Sequence, residues 1–252
     1  MIYSPLEQFA VIRILTVRIG GVDLSFTNSA LMGLFGLAVL VLTWYYTVHQ
    51  RKGGTLVPTG PQLVVESHYD FIKNLVHDQL GVQGYPYMPL IFTIFTLILG
   101  CNLVGMVPFS FTPTSHFIYT LGLSGSLFIG LLIIGFRRHG LHFFALLLPA
   151  GTPLPLAPFL VLLETISYGF KAISLGVRLA ANMLAGHCLL KIIAGFVWSM
   201  LFAGSMALGV AAALPFGAVV ILTGMELGIA IIQAYVFTML FCIYLQESLN
   251  LH

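Results

Sequence analysis

Charge is what this chain has least of. Its 252 residues hold ten Lys and Arg and eight Asp and Glu, so that 7% are charged while 59% are hydrophobic. Ordinary soluble domains are about 25% charged, and a soluble fold is thereby excluded. The net charge of +2 is too small, and the basic residues too scattered, for nucleic acid to be a partner. Cysteine is scarce as well: Cys101, Cys188 and Cys242 lie far apart inside apolar runs, with no metal-ligand spacing, and read as buried thiols. No GxxxxGK[ST] run occurs, so nothing here holds nucleotide phosphates in a Walker-type loop, and any nucleotide chemistry belongs to another chain. No long soluble segment separates the apolar runs, which predicts a single membrane domain with nothing detachable, and the two longest runs show no convincing internal repeat. The N-terminus lacks the Arg- and Ser-rich character of a transit peptide and the cleavage site of a signal peptide, so the protein is expected either to be made where it works or to be already processed.

What is present is apolar sequence long enough to cross a hydrocarbon layer of ~30 Å, which takes about 20 helical residues. Residues 1–28, punctuated by Pro5 and Gly20-Gly21, are mildly amphipathic and expected at the interface. A first span is predicted at 29–48, ending in the interfacial aromatics Trp44, Tyr45 and Tyr46 and followed by Arg51 and Lys52, which places that end on the non-translocated side. Residues 62–80 carry Val64, Val65, Phe71, Ile72, Leu75 and Val76 on one stripe and Glu66, Asp70, Lys73, Asn74 and Asp78 on the other. A span does not carry that many charges, so this helix is predicted to lie on the membrane surface, with His68 and His77 solvated. Spans at 87–107 and 117–135 follow, separated by PFSFTPTSH, whose prolines forbid one continuous helix. Arg137 and Arg138 then fall on the same side as Arg51 and Lys52. His139 and His142 beside them read as a wet loop and not a metal site.

The last third holds two apolar runs, 158–198 and 203–245, of roughly forty residues each. An unbroken helix of that length runs ~60 Å at ~1.5 Å per residue, twice the hydrocarbon layer and more than ordinary tilts absorb. The predicted fold is all-α and polytopic: upright spans, one amphipathic surface helix, and a hairpin of two long, steeply tilted helices, with Pro215 as a possible kink in the second.

The chemistry lies in those two runs. Glu164, Lys171 and Arg178 recur at seven, in a row with Asn182. A fixed charge at bilayer depth costs roughly 2.5–3.5 kcal/mol on insertion scales, so it persists only where buried against protein or water. Ser174, Ala181 and Ala185 flank Arg178 with small side chains that allow a second helix to come close. Read alone, Arg178 fits an internal ion-pair anchor for Glu164 or Glu226 equally well. On the second run Glu226 and Gln233 also lie seven apart, with Gly224 and Gly228 bracketing Glu226 in a GxxxG that permits close helix approach. An antiparallel pairing of the runs lets Glu226 and Gln233 face His187, Asn182 and Arg178. Carboxylate, imidazole and amide together in a membrane interior are the parts of a proton relay, although a single His187 fits a packed core histidine.

GVRLAANMLAGH (176–187) and LTGMELGIAIIQAYVFTMLFCIYLQESLNLH (222–252) resemble subunit a of the F-type ATP synthase, the stator half of its proton-translocating motor, most closely the plant and protist mitochondrial form. SPLEQF near the start, CNLVGMVPFSFTPTSHF (101–117) and LLPAGTPLPLAPFLVLLE (147–164) extend the resemblance over nearly the whole chain. The resemblance implies that Arg178 is the family's arginine separating two channels. It places His187, Glu226, Asn182 and Gln233 on the uptake side and Glu164 and Glu247 on the matrix exit side, and gives Lys171 no role. It also implies a partner ring of c subunits whose membrane carboxylates carry the protons, together with peripheral-stalk and other membrane-sector subunits, surrounding lipid and a dimeric synthase. The location implied is the mitochondrial inner membrane, crossed several times. No cofactor and no metal are expected, and no nucleotide chemistry in this chain. The competing readings are an autonomous ion channel or secondary transporter, against which the lack of paired halves speaks, a membrane scaffold, and an intramembrane protease, against which the lack of a nucleophile elbow speaks.

Overall fold

The structure is a computed structural model that describes residues 7–19, 22–23, 25–49, 60–107, 110–140, 143 and 156–250. The readings made on Pro5, Gly20-Gly21, Arg51, Lys52, His142 and residues 147–155 lie outside the described residues. Among the described residues five helical stretches are long and apolar enough to cross a membrane: Asn28–Thr47, Gly60–Gly105, Phe117–His139, Ala157–Leu201 and Met206–Leu249. The protein is therefore an all-α polytopic membrane protein, as its composition and the length of its apolar runs require. Among the described residues, strand pairing is confined to two short antiparallel ladders near the start, β1 (Arg13–Leu15) with β4 (Phe26–Thr27) and β2 (Arg18–Ile19) with β3 (Val22–Asp23).

The helices are α1 (Asn28–His49), α2 (Gly60–Leu80), α3 (Met88–Gly105), α4 (Phe117–His139), α5 (Ala157–Leu201), α6 (Met206–Ala211) and α7 (Ala213–Leu249). They contribute to two compact units, each drawn from three separated stretches of chain. The first comprises Met1–Leu42, Thr96–His116 and Ala180–Ala234; the second comprises Thr43–Phe95, Phe117–Leu179 and Tyr235–His252.

In the first unit the N-terminal ladders are tied to the start of α1 by Asn28. Its side-chain oxygen accepts from the Ile12 and Ser29 amides at 3.1 and 2.9 Å, and its amide group donates to Ala10 O at 3.1 Å. Arg13 pairs with Asp23 at 3.0 Å across the strands. Helix α1 reaches α3 where neither has a side chain: a Cβ on Gly36 would lie 3.3 Å from Gly100 O. Small residues at such a crossing let backbones approach closely, which is how apolar helices associate in lipid. After α5 the chain turns at Gly204, whose φ of +72° suits a residue without Cβ.

In the second unit α2 buries Val65, Ile72, Leu75, Val76 and Leu80, and leaves Glu66, Asp70, Lys73, Asn74 and Asp78 exposed. The stripe is narrower than the sequence pattern drew it. Val64 remains 70% exposed, and Phe71 sits at its border with its ring 5.6 Å from Phe95 and 5.7 Å from Tyr235. His68 is not solvated, as the sequence reading has it, but packs among the rings of Trp44, Phe92 and Phe95 at 5.4, 5.3 and 5.1 Å. Gly81, at φ +60°, opens the turn to α3. Helix α4 packs on the first part of α5 at Gly176, where a Cβ would lie 2.6 Å from Ser124 Oγ. It meets the end of α7 through Ser248 Oγ donating to Leu131 O at 3.1 Å.

Helix α5 is unbroken over 45 residues. The second long run is not one piece: α6 ends at Ala211 and α7 begins at Ala213. The cause is Pro215, whose ring would collide with the carbonyl of Ala211 in a continuous helix but is tolerated in the first turn of a new one.

Candidate functional site

Two helix faces carry the polar groups. In the first unit α5 and α7 pair antiparallel through side chains that lie deep in otherwise apolar helices. Asn182 donates from Nδ2 to Gln233 Oε1 at 2.8 Å. One to two turns further along α5, His187 Nδ1 lies 3.2 Å from Glu226 Oε1. Glu226 and Gln233 are 4% and 5% exposed, so α7 turns its polar pair inward.

Glu226 is admitted by Gly186. A Cβ there would stand 2.6 Å from Glu226 Oε1, whereas Gly224 and Gly228, the pair that the sequence pattern assigns to close approach, have nothing within 4 Å. The Glu226 carboxylate oxygens are buried and have no hydrogen-bond partner among the described residues, the His187 approach being close but out of hydrogen-bond alignment. A carboxyl left in this state needs water or a moving proton to satisfy it. Room for water is at hand. A cavity of about 750 Å³ reaches from the N-terminal segment to this pair, with Gln8, Asn28, Ser110, Thr112, Lys191 and Thr223 among its polar lining.

In the second unit Glu164 is partly exposed on α5 and has no ion-pair partner among the described residues. Glu247 on α7 is paired: Lys171 Nζ lies 2.7 Å from its Oε2 and 5.5 Å from the ring centres of Tyr168 and Tyr244. Arg178 is exposed and, among the described residues of this unit, has no ion-pair partner. Along α5 the exposed positions Phe170, Ser174, Arg178, Asn182, Ala185 and Leu189 follow one another at three and four residues, a single stripe with the guanidinium in its middle.

A buried carboxyl facing an imidazole at a polar-lined cavity is out of place in apolar helices unless it is put to use. Comparison with known proteins decides what that use is. The family model described as "ATP synthase A chain" matches residues 30–246. The chain is 56% identical to ATP synthase subunit a of Marchantia polymorpha over 100% of both chains. It is 53% identical to the subunit a of Oenothera berteroana, over 99% of this chain and 90% of that one, and 53% identical to that of Brassica napus, over 99% and 97%.

The chain belongs to the ATP synthase A chain family. As a member of the ATP synthase A chain family it is the proton-translocating stator subunit of the membrane sector and works with other ATP synthase subunits. Of the residues that the resemblance assigns in the ATP synthase A chain, the structure brings His187 to Glu226 and Asn182 to Gln233 in one unit. In the other it brings Glu247 to Lys171, which had been given no role, and leaves Arg178 and Glu164 unpaired among the described residues.

Sequence reasoning missed the loop after α3. Thr112 Oγ1 lies 3.0 Å from His187 Nε2, Thr114 Oγ1 donates to Asn102 Oδ1 at 2.8 Å, and Asn102 Nδ2 donates to Ala230 O on α7 at 3.0 Å. Its signal was a cluster of hydroxyls between prolines, which reads as any loop until His187 is seen beside it. Outside the spans, burial pushes His116 in this loop below its usual range, and the Ser25 hydroxyl and amide, with Arg13 across the strands, hold Asp23 below the usual carboxylate range.

Proposed function

We propose that this chain provides two offset aqueous half-channels in the membrane sector of a mitochondrial ATP synthase, with Arg178 keeping them apart. Protons enter through the cavity that reaches His187 and Glu226, pass to a carboxylate on a rotating ring of c subunits, ride around through lipid, and leave beside Glu164 and Glu247 on the matrix side. Asn182 and Gln233 hold α5 against α7 between the inlet pair and the arginine. The observation that carries this reading is the His187–Glu226 contact at 3.2 Å, exposed to a cavity of about 750 Å³ within helices that are otherwise apolar.

The charges explain themselves in this arrangement. Arg178 faces outward without an acidic partner among the described residues because the partner is supplied by the ring, one carboxylate at a time. Its charge favours the ionised form of an arriving carboxylate and so prompts proton release. An arginine cannot deprotonate in proteins, so it blocks direct leakage between the channels, where a desolvated lysine would not. The helix length fits too: the 45 residues of α5 exceed what an upright span needs by about a factor of two, which favours an oblique course along a ring. Each elementary charge that crosses 100 mV supplies about 2.3 kcal/mol, so a few protons together match a demanding chemical step. Peripheral-stalk subunits, a dimeric synthase and the mitochondrial inner membrane complete the assembly in this reading.

The test is ATP-driven proton pumping by assembled complexes in sealed vesicles. Arg178→Ala and Arg178→Lys should both abolish pumping while the complex still assembles. Normal pumping by assembled Arg178→Ala complexes would overturn the assignment, and rapid specific flux through the purified chain alone would replace it with an autonomous channel.

A further inference from the structure

The His187 ring has a polar group on each side, and the two sides are not equivalent. Nδ1 faces Glu226 Oε1 at 3.2 Å and Nε2 faces Thr112 Oγ1 at 3.0 Å. Thr112 also donates its hydroxyl proton to Gly105 O at 3.3 Å. A hydroxyl has one proton and two lone pairs. Directing that proton to Gly105 O leaves Thr112 to accept from His187, which then carries its hydrogen on Nε2.

We propose that Thr112 is a positioning residue that fixes His187 as the Nε2–H tautomer, so that Nδ1 alone exchanges protons with Glu226. The inference rests on the reading of His187 and Glu226 as the proton inlet. In the exchange the proton on Glu226 Oε1 moves to Nδ1, leaving carboxylate and imidazolium, and returns or is passed onward from the same side. The Nε2 hydrogen stays on His187, donated to Thr112 Oγ1, throughout, and no proton is lost into the loop.

The loop is built to hold that hydroxyl still. Thr112 lies against Gly105, where a Cβ would stand 2.5 Å from Thr112 Oγ1, so only glycine leaves it room. The Thr112 carbonyl accepts from Ser115 Oγ at 2.7 Å and from the Ser115 amide at 3.2 Å. Thr114 and Asn102 then moor the loop to Ala230 O, one turn from Glu226 on α7, at 2.8 and 3.0 Å. Thr112, Thr114 and Ser115 are all buried, at 5%, 0% and 3% exposure. A side chain that orients the second nitrogen of a working histidine decides which nitrogen does the chemistry.

The experiment compares pumping, and its pH profile, in assembled complexes carrying Thr112→Val, Thr112→Ser, Gly105→Ala or His187→Ala. Val keeps the shape of Thr and loses the hydroxyl; Ser keeps the hydroxyl and loses the methyl. The expected pattern is a loss of about tenfold with a displaced pH profile for Thr112→Val, near-parental behaviour for Thr112→Ser, and a loss like that of Val for Gly105→Ala, which pushes the hydroxyl away. If Val pumps like the parent while Ser fails, Thr112 only packs and the proposal is wrong. If Thr112→Val pumps normally while His187→Ala does not, the inlet stands and this inference alone falls. If His187→Ala pumps normally, the inlet reading itself is lost.

Discussion

Lys171 shows how a residue's role is set by what faces it. In sequence it is one more charge in a row of three on α5; in the fold its ammonium lies 2.7 Å from the Glu247 carboxylate, beneath the faces of Tyr168 and Tyr244. A part-buried pair of this kind is weak evidence for stability in itself, but removing one partner leaves a charge uncompensated. Lys171→Glu or Glu247→Lys alone should therefore lower the amount of chain recovered in the assembled complex several-fold, and the double exchange should restore it. Recovery that is unchanged in the single variants would show that solvent already screens the pair. The same comparison separates Lys171 from Arg178. Their side chains share a helix and a charge, yet only Lys171 has a carboxylate within reach among the described residues, so only Arg178 is left for a partner from outside.

At the scale of the element, the place of the Glu226 carboxyl between α5 and α7 depends on one missing side chain. Gly186 sits mid-helix, where Ala is favoured over Gly by about 1 kcal/mol, and by propensity alone Gly186→Ala should be harmless or stabilising. Its Cβ, however, would stand 2.6 Å from Glu226 Oε1. The expected outcome is a complex that assembles as well as the parent and pumps about tenfold more slowly, the displaced carboxylate having lost its place at His187. Parental pumping would mean that Glu226 shifts without consequence. Sequence pattern pointed to Gly224 and Gly228 for this close approach because they bracket Glu226 on its own helix, but the residue that decides it lies on the other helix. The break between α6 and α7 was half legible. Pro215 marked it, but where the helix stops depends on which carbonyl the ring strikes, and that is one turn earlier.

For the molecule as a whole, the isolated chain leaves large side chains exposed along the arginine stripe, Phe170 at 60% and Leu189 at 44% among them. Exposed apolar surface in a membrane chain meets lipid or another subunit, and a stripe centred on an unpaired cation is expected to meet a subunit. A photo-reactive cross-linker on Leu189→Cys, in a Cys188→Ala background, should join this chain to the ring subunit, whereas the same group at the buried Met183 should join it to nothing outside the chain. Lipid adducts alone at Leu189 would remove the ring from this face. The sequence by itself determined the solvent, the helical class and the family, because apolar run length answers directly to bilayer thickness and the motifs stand contiguous in the chain. It also named His187, Glu226, Asn182 and Gln233 as candidates, since charges and amides inside such runs are too costly to be incidental. Only the tertiary structure decided that Gly186 makes room for Glu226, that Lys171 takes Glu247, and that a loop threonine seventy-five positions away holds His187. Those choices are contacts between side chains far apart in the chain, and no local pattern encodes which of two facing groups will fall within three ångströms of the other.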